Sequence, residues 1–273
     1  MPTASLDDID LFYEMSGEGP VLVLVTGLAG VASYWRPNID ALARHFTVLR
    51  YDQRGTGRSS RPEGAYSVEL LTDDLARLMR HLGLSHACLL GHSTGGAIGQ
   101  VLAARHPELV ERLVLYASWA SLCPQMRMCM EIRQQLLAAA GPAAYHRASP
   151  IFLYPPRFVC ESWPRIAAEL DANVAQSTTP GILAARVRAV IDFDGRPYLP
   201  SIHVPTLVLV ADDDILTPRF AADELKAGIA HARLQTMAYG GHAVSYCEPE
   251  AFHAAVLPFL RQEASGAAER RSA

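Results

Sequence analysis

The most restrictive feature of this sequence is a small serine-containing turn, GHSTG, at residues 91–95. The apolar run 87–90 precedes it directly, and a helix-like stretch begins near Gly96. This order predicts a buried strand, a tight turn and a helix. Such a turn forces its serine into unfavourable backbone angles, and Gly91 and Gly95 remove the side chains that would clash. The pattern predicts a nucleophilic Ser93, although a glycine-rich turn with an incidental serine would have the same sequence.

The chain as a whole alternates between short apolar runs and helical patterns, which is typical of βαβ units. Predicted strands lie at 9–15, 21–25, 46–51, 87–90, 110–117 and 205–211, and predicted helices at 68–82, 97–105 and 219–230. Continuous β-branched runs such as VLVLV at 21–25 indicate parallel strands that are buried on both faces. The fold class is therefore predicted to be α/β with a mostly parallel sheet.

The strand pattern is interrupted between Ser118 and about Pro200. Helix-like stretches at 125–140, 163–175 and 180–190 occupy this part of the chain and are broken by proline and glycine. We predict an inserted helical cap over 118–200, a core over 1–117 and 201–264, and a disordered tail over 265–273.

Many of the aromatic residues lie in the predicted cap, where their side chains would line a substrate pocket. The predicted pocket residues are Gly27, His92, Trp119, Phe152 and Tyr154. Aromatic residues at helical spacing also fit simple packing of a cap onto a core.

A serine hydroxyl is a weak nucleophile and needs a base, with an acid that orients the base. Asp212, Asp213 and Asp214 follow the strand 205–211, and His242 follows two glycines in a late loop. We favour Asp214 over its two neighbours, because Pro218 opens the next helix four residues later and lets a loop aspartate turn inward. The predicted catalytic residues are Ser93, Asp214 and His242, in that chain order.

Two backbone N–H groups are needed to hold the charge that develops on a substrate oxygen. Thr94, which follows the nucleophile, supplies the first. The second is predicted at Leu28 in the loop TGLAG at 26–30, directly after the strand 21–25. This loop lacks the glycine spacing of a phosphate-binding site.

Composition excludes several other classes of function. The 24 basic and 28 acidic residues give a net charge of -4 without a long block of like charge, which argues against nucleic acid as a partner. The acidic start and the short apolar runs predict a cytoplasmic protein without a membrane partner. Five cysteines without zinc-like spacing argue against a metal site, and no cofactor is predicted. The sequence leaves the oligomeric state open, and a homodimer is compatible with it.

These motifs together resemble the α/β-hydrolase superfamily over nearly the whole chain. SYW at 33–35, YDQRGTG at 51–57, IFLYP at 151–155 and YGGHA at 239–243 are similar to the aminoacrylate (carbamate) hydrolases of bacterial pyrimidine-ring degradation. The resemblance implies the α/β-hydrolase fold, with about eight strands and an inserted helical cap. The sequence departs from the superfamily where Thr26-Gly27 stands in place of the common His-Gly, which leaves the backbone donor of the loop in place.

The resemblance implies a serine hydrolase that acts on a small carbonyl substrate of ester, carbamate or aminoacrylate type. Cap arginines such as Arg127, Arg133 or Arg157 are candidates to attract an anionic substrate, although such residues are more often solvated. Enol-lactonase and carbon–carbon hydrolase activities are compatible with the same serine. From a different class, a ligand-binding member of the fold without turnover remains an alternative.

Overall fold

A computed structural model describes residues 2–262 of the chain. Within them, eight strands form one sheet: β1 (Thr3–Leu6), β2 (Ile9–Ser16), β3 (Val21–Val25), β4 (Thr47–Tyr51), β5 (Ala87–His92), β6 (Val110–Tyr116), β7 (Thr206–Ala211) and β8 (Arg233–Met237). Their order is β1-β2-β4-β3-β5-β6-β7-β8. The pairs β1/β2 and β2/β4 are antiparallel and the others are parallel, which confirms the predicted sheet. The predicted tail at 265–273 lies outside the described residues.

The helices in the described residues are α1 (Ile39–Leu42), α2 (Val68–His81), α3 (Thr94–Arg105), α4 (Pro124–Leu153), α5 (Pro156–Ala175), α6 (Pro180–Asp192), α7 (Arg219–Gly228), α8 (Val244–Cys247) and α9 (Pro249–Leu260). Short 3-10 helices lie at Ala32–Asn38, Pro107–Leu109, Leu199–Ser201 and Gly241–Ala243. None of the helices in residues 2–262 has the length and apolar character needed to span a bilayer.

The central strands bury both of their faces, as their continuous apolar runs predict. Along β3, for example, Val23 and Val25 pack in one core with α2, α3 and α7, whereas Leu22 and Leu24 pack in a second core with α1 and α9. Successive side chains of a strand point to opposite faces of the sheet, so one apolar run feeds both cores. Helices therefore cover both faces of the sheet, which buries the strands on both sides as predicted.

Three helices, α4 to α6, lie between β6 and β7, in the part of the chain predicted as a cap. The helices extend beyond the predicted stretches, because α4 continues to Leu153 across a break at Gly141 and α5 begins at Pro156. A proline in the first turn of a helix costs little, since that N–H has no helical partner. The proline-rich segment near 155 is thus a helix start.

Candidate active site

Ser93 lies at the junction of β5 and α3, at the end of a parallel strand near the centre of the sheet. Its backbone has φ 54° and ψ -117°, a strained conformation for a residue with a side chain. Two backbone hydrogen bonds hold this conformation: the Ser93 N–H donates to the Tyr116 carbonyl at 2.9 Å, and the Gly96 N–H donates to the Ser93 carbonyl at 2.8 Å. The turn GHSTG therefore adopts the predicted strand–turn–helix geometry.

The two outer glycines of this turn are required by close backbone contacts. A Cβ atom on Gly91 would overlap the backbone of Gly95, and one on Gly95 would overlap the carbonyl of Val25. Backbone atoms cannot move aside as a flexible side chain can. The sharp turn that places Ser93 at the cavity consequently depends on both glycines.

His242 and Asp214 are buried and lie together, and His242 lines the same cavity as Ser93. The Nδ1 atom of His242 lies 3.0 Å from Oδ2 of Asp214 and 3.1 Å from Oγ1 of Thr217. The backbone carbonyl of His242 accepts hydrogen bonds from Tyr116 and His92. These contacts fix the imidazole on the Asp214 side and leave Nε2 as the nitrogen available for proton transfer. No hydrogen bond within 3.5 Å joins Ser93 Oγ to His242 in the described residues, and such bonds commonly tighten only when a substrate binds.

The three consecutive aspartates have three different environments. Asp214 is buried and also accepts the backbone N–H groups of Leu216 and Thr217 at 2.8 and 2.9 Å. Asp213 accepts hydrogen bonds from the N–H groups of the two glycines before His242, so it orders the histidine loop. Asp212 is exposed and lies 3.4 Å from Arg219.

The two predicted N–H donors border the cavity beside Ser93. Thr94 is the first residue of α3, where a backbone N–H lacks a partner within the helix. The Leu28 carbonyl accepts hydrogen bonds from Nε and Nη2 of Arg186, at 3.2 and 3.0 Å. Arg186 belongs to α6, one of the three helices of the predicted cap, so a side chain from this region holds the loop that carries the predicted second donor.

Arg186 is a residue that sequence reasoning missed. Its guanidinium is buried and also donates to the Arg54 carbonyl at 2.8 Å and to Oε1 of Gln53 at 2.6 Å. Gln53 in turn donates to the carbonyl of Thr26 at 2.6 Å. Burial lowers the pKa of Arg186 to about 10, which leaves it charged at neutral pH.

We expect Arg186→Met to lower the free energy of unfolding by about 3 kcal/mol or more, because three acceptors, at Leu28, Arg54 and Gln53, lose a charged donor. Urea unfolding measures this change. Arg188→Met is the matched control, since Arg188 lies on the same helix, is exposed and pairs with Asp192. Equal stability losses in the two variants would contradict the assigned role of Arg186.

His92 lies in the wall of the cavity, where its ring stacks on Tyr34 with 4.7 Å between centroids. Nε2 lies 2.9 Å from the His242 carbonyl, and the buried Nδ1 has no hydrogen-bond partner in the described part of the chain. Burial holds the pKa of His92 well below its usual value, and nearby His242 lowers it further. A neutral His92 donates through Nε2 and carries a lone pair on Nδ1.

The cavity has a volume of about 210 Å³ and is lined by both core and cap residues. Of the predicted pocket residues, Gly27, His92 and Tyr154 line it. Trp119 and Phe152 do not, which corrects the prediction: Trp119 is buried against Phe193, and Phe152 packs beside Arg133. Trp119 is buried in the loop between β6 and α4, and Phe152 is half-buried on α4, so both rings pack against other side chains and not against the cavity.

The three candidate cap arginines also differ. Arg133 lines the cavity, whereas Arg127 is exposed and reaches the carbonyl of Ile191, and Arg157 is exposed and pairs with Glu161. Within residues 2–262, no group of three or more His, Cys, Asp or Glu side chains is placed to hold a metal ion.

Comparison with known proteins agrees with this architecture. Residues 20–249 match the family model described as "alpha/beta hydrolase fold". The chain is 40% identical to the "Putative carbamate hydrolase RutD" of Azorhizobium caulinodans over 95% of this chain and 98% of the relative, and 40% identical to the protein of the same name in Serratia proteamaculans over 92% and 96%. The crystal structure of the enol-lactonase from Burkholderia xenovorans superposes with a TM-score of 0.87 at 31% identity, covering 96% of this chain and all of that chain. The chain therefore belongs to the α/β-hydrolase family, and it is a hydrolase related to the RutD proteins.

Proposed function

We propose that this chain is a serine hydrolase in which Ser93, His242 and Asp214 transfer the acyl group of a small carbonyl substrate to water. The observation that carries the proposal is the position of a strained Ser93 in one cavity with a His242 whose Nδ1 is held 3.0 Å from Asp214. This arrangement supplies a nucleophile, a base and an orienting acid.

In the proposed reaction, Ser93 Oγ attacks the substrate carbonyl carbon while Nε2 of His242 takes the hydroxyl proton. The N–H groups of Leu28 and Thr94 hold the oxyanion of the tetrahedral intermediate. The intermediate collapses, the leaving group departs with the proton from His242, and an acyl-enzyme remains. Water then attacks the acyl-enzyme with His242 again as base, which releases the acid and restores Ser93.

The substrate class is proposed to be an ester or a carbamate- or aminoacrylate-type compound. The names of the RutD relatives support the carbamate type. A second candidate is lactone opening, which uses the same attack on a carbonyl and is supported by the likeness to the enol-lactonase. No cofactor takes part in the proposed steps. A small molecule is the proposed partner, and a cytoplasmic location and a homodimer stay predictions.

A fluorophosphonate probe tests the nucleophile directly. We expect one covalent adduct per chain, located on Ser93 by peptide mass spectrometry, together with turnover of 4-nitrophenyl acetate and butyrate. The same panel should include an enol-lactone and carbamate and aminoacrylate generated in situ. Absence of labelling with no ester or lactone turnover would favour a ligand-binding role, and turnover confined to aminoacrylate in a Ser93→Ala variant would exclude the acyl-enzyme.

A further inference from the structure

The cavity wall contains two buried guanidinium groups. Arg133 is 6% exposed and Arg186 is 2% exposed, and neither has a carboxylate within 4 Å in the described residues. Elsewhere the fold neutralises a buried arginine, since Arg54 makes two hydrogen bonds of 2.7 Å to the carboxylate of Asp74. Burying a charge without an opposite charge nearby costs folding free energy, and the two cavity arginines lack such a partner.

The two arginines differ in how their N–H groups are used. Arg186 donates to three different acceptors of the protein, as described above. Arg133 donates only to the hydroxyl of Tyr145, at 2.9 Å, and its buried Nε has no partner in residues 2–262. Its guanidinium carbon lies 4.8 Å from the ring centroid of Tyr145 and 5.7 Å from that of Phe152, so the two rings hold the group in place. Arg133 therefore keeps N–H donors for a ligand.

Other charged groups on the cavity wall do not neutralise Arg133. Glu169 is exposed and accepts a hydrogen bond from Tyr246, and the buried Asp214, which is not one of the lining residues, is hydrogen-bonded to His242. Burial and the charge of Arg133 both lower the pKa of His146, which keeps this neighbour neutral at pH 7. The hydroxyl of Thr178 also lines the cavity, and its buried Oγ1 has no partner in the described chain.

We propose that the substrate carries a carboxylate group, separate from the carbonyl that Ser93 attacks, and that Arg133 binds this carboxylate. The inference rests on the proposed serine mechanism and specifies its substrate class: a small ester or lactone with one anionic substituent. A cavity of about 150 Å³ accommodates benzene. The 210 Å³ available here therefore exceeds the needs of a one-carbon carbamate and suits a molecule with several carbon atoms.

The test compares two substrates of equal length, 4-nitrophenyl hydrogen adipate and the ester in which a primary amide replaces its free carboxylate. We expect the wild type to favour the carboxylate ester in kcat/KM. In Arg133→Met this preference should fall roughly 10- to 100-fold, mainly through KM, as for loss of a hydrogen bond to a charged group. Arg133→Lys should keep part of the preference, and Arg157→Met, which alters an exposed cap arginine, should keep all of it.

Equal preference in the wild type and in Arg133→Met would overturn the inference. In that case, Ser93-dependent turnover of the neutral ester would leave the proposed function standing, so the two failures are distinguishable. Calorimetric titration of the Ser93→Ala protein with adipate measures the binding affinity directly. It requires no turnover and leaves Arg133 unchanged. Adipate should bind at least about 10-fold more tightly than adipamide, and equal affinities would refute a carboxylate site.

Discussion

Replacement of Ser93 by alanine is expected to lower kcat for 4-nitrophenyl acetate by about 10⁴- to 10⁶-fold, the range seen when the nucleophile of such a triad is removed. The hydroxyl oxygen forms the covalent bond of the acyl-enzyme, and no neighbouring side chain substitutes for it. Initial rates corrected for spontaneous hydrolysis measure the loss. The N–H groups of Leu28 and Thr94 persist in the variant, so a residual rate above background is expected.

Ser121→Ala is the control for this experiment. Ser121 is half-buried and hydrogen-bonded to Glu224 outside the cavity lining, so its loss should leave kcat unchanged. Thermal unfolding of both variants shows whether the fold is retained. Ester hydrolysis at a wild-type rate by folded Ser93→Ala would assign the reaction to another nucleophile.

Asp214→Asn should have the second-largest effect, with kcat reduced by about 10⁴-fold. Asp214 accepts a hydrogen bond from Nδ1 of His242. It also accepts hydrogen bonds from the backbone N–H groups of Leu216 and Thr217. An asparagine keeps the shape but presents an N–H to Nδ1, which favours the tautomer with a proton on Nε2. That tautomer cannot take the proton of Ser93. Steady-state kinetics with 4-nitrophenyl butyrate measures the effect.

The neighbouring Asp212 provides a matched control, because Asp212→Asn removes the same charge at an exposed position that faces Arg219. We expect its kcat to stay near that of the wild type. A comparable loss in both variants would mean that the net negative charge of this loop, and not the contact between Asp214 and His242, supports turnover.

Much of the fold could be predicted from local patterns. The run VLVLV predicts β3 with the observed bounds, because a continuous apolar stretch of this length is typical of a strand buried on both faces. The sequence pattern does not indicate β1, because it is a four-residue strand at the sheet edge with a single buried position, Ala4. The prolines near 142 and 155 predict breaks between helices, whereas in the structure they stand where a helix resumes or begins.

Of the two buried arginines, the sequence names Arg133 among three candidate arginines without singling it out, and it does not indicate Arg186. Arg133 shares a helix face with Met126, Met130 and Leu137, all of which are buried. Arg186 similarly shares a face with the buried Ile182 and Val190. A charged residue on the apolar stripe of a helix was the available signal, because such a position faces the interior.

The sequence by itself determined the alternation of strands and helices, the tight turn that carries Ser93, and the chain order of serine, acid and histidine. These features depend on residues that are adjacent or one helical turn apart, so their physics is local. The tertiary structure decided which aspartate meets His242, that a cap arginine holds the Leu28 loop, and that Arg133 faces the cavity while Trp119 and Phe152 do not. Each of these contacts joins segments that are far apart in the sequence. For the charged residues, the cost of burial depends on the partners that surround them in space.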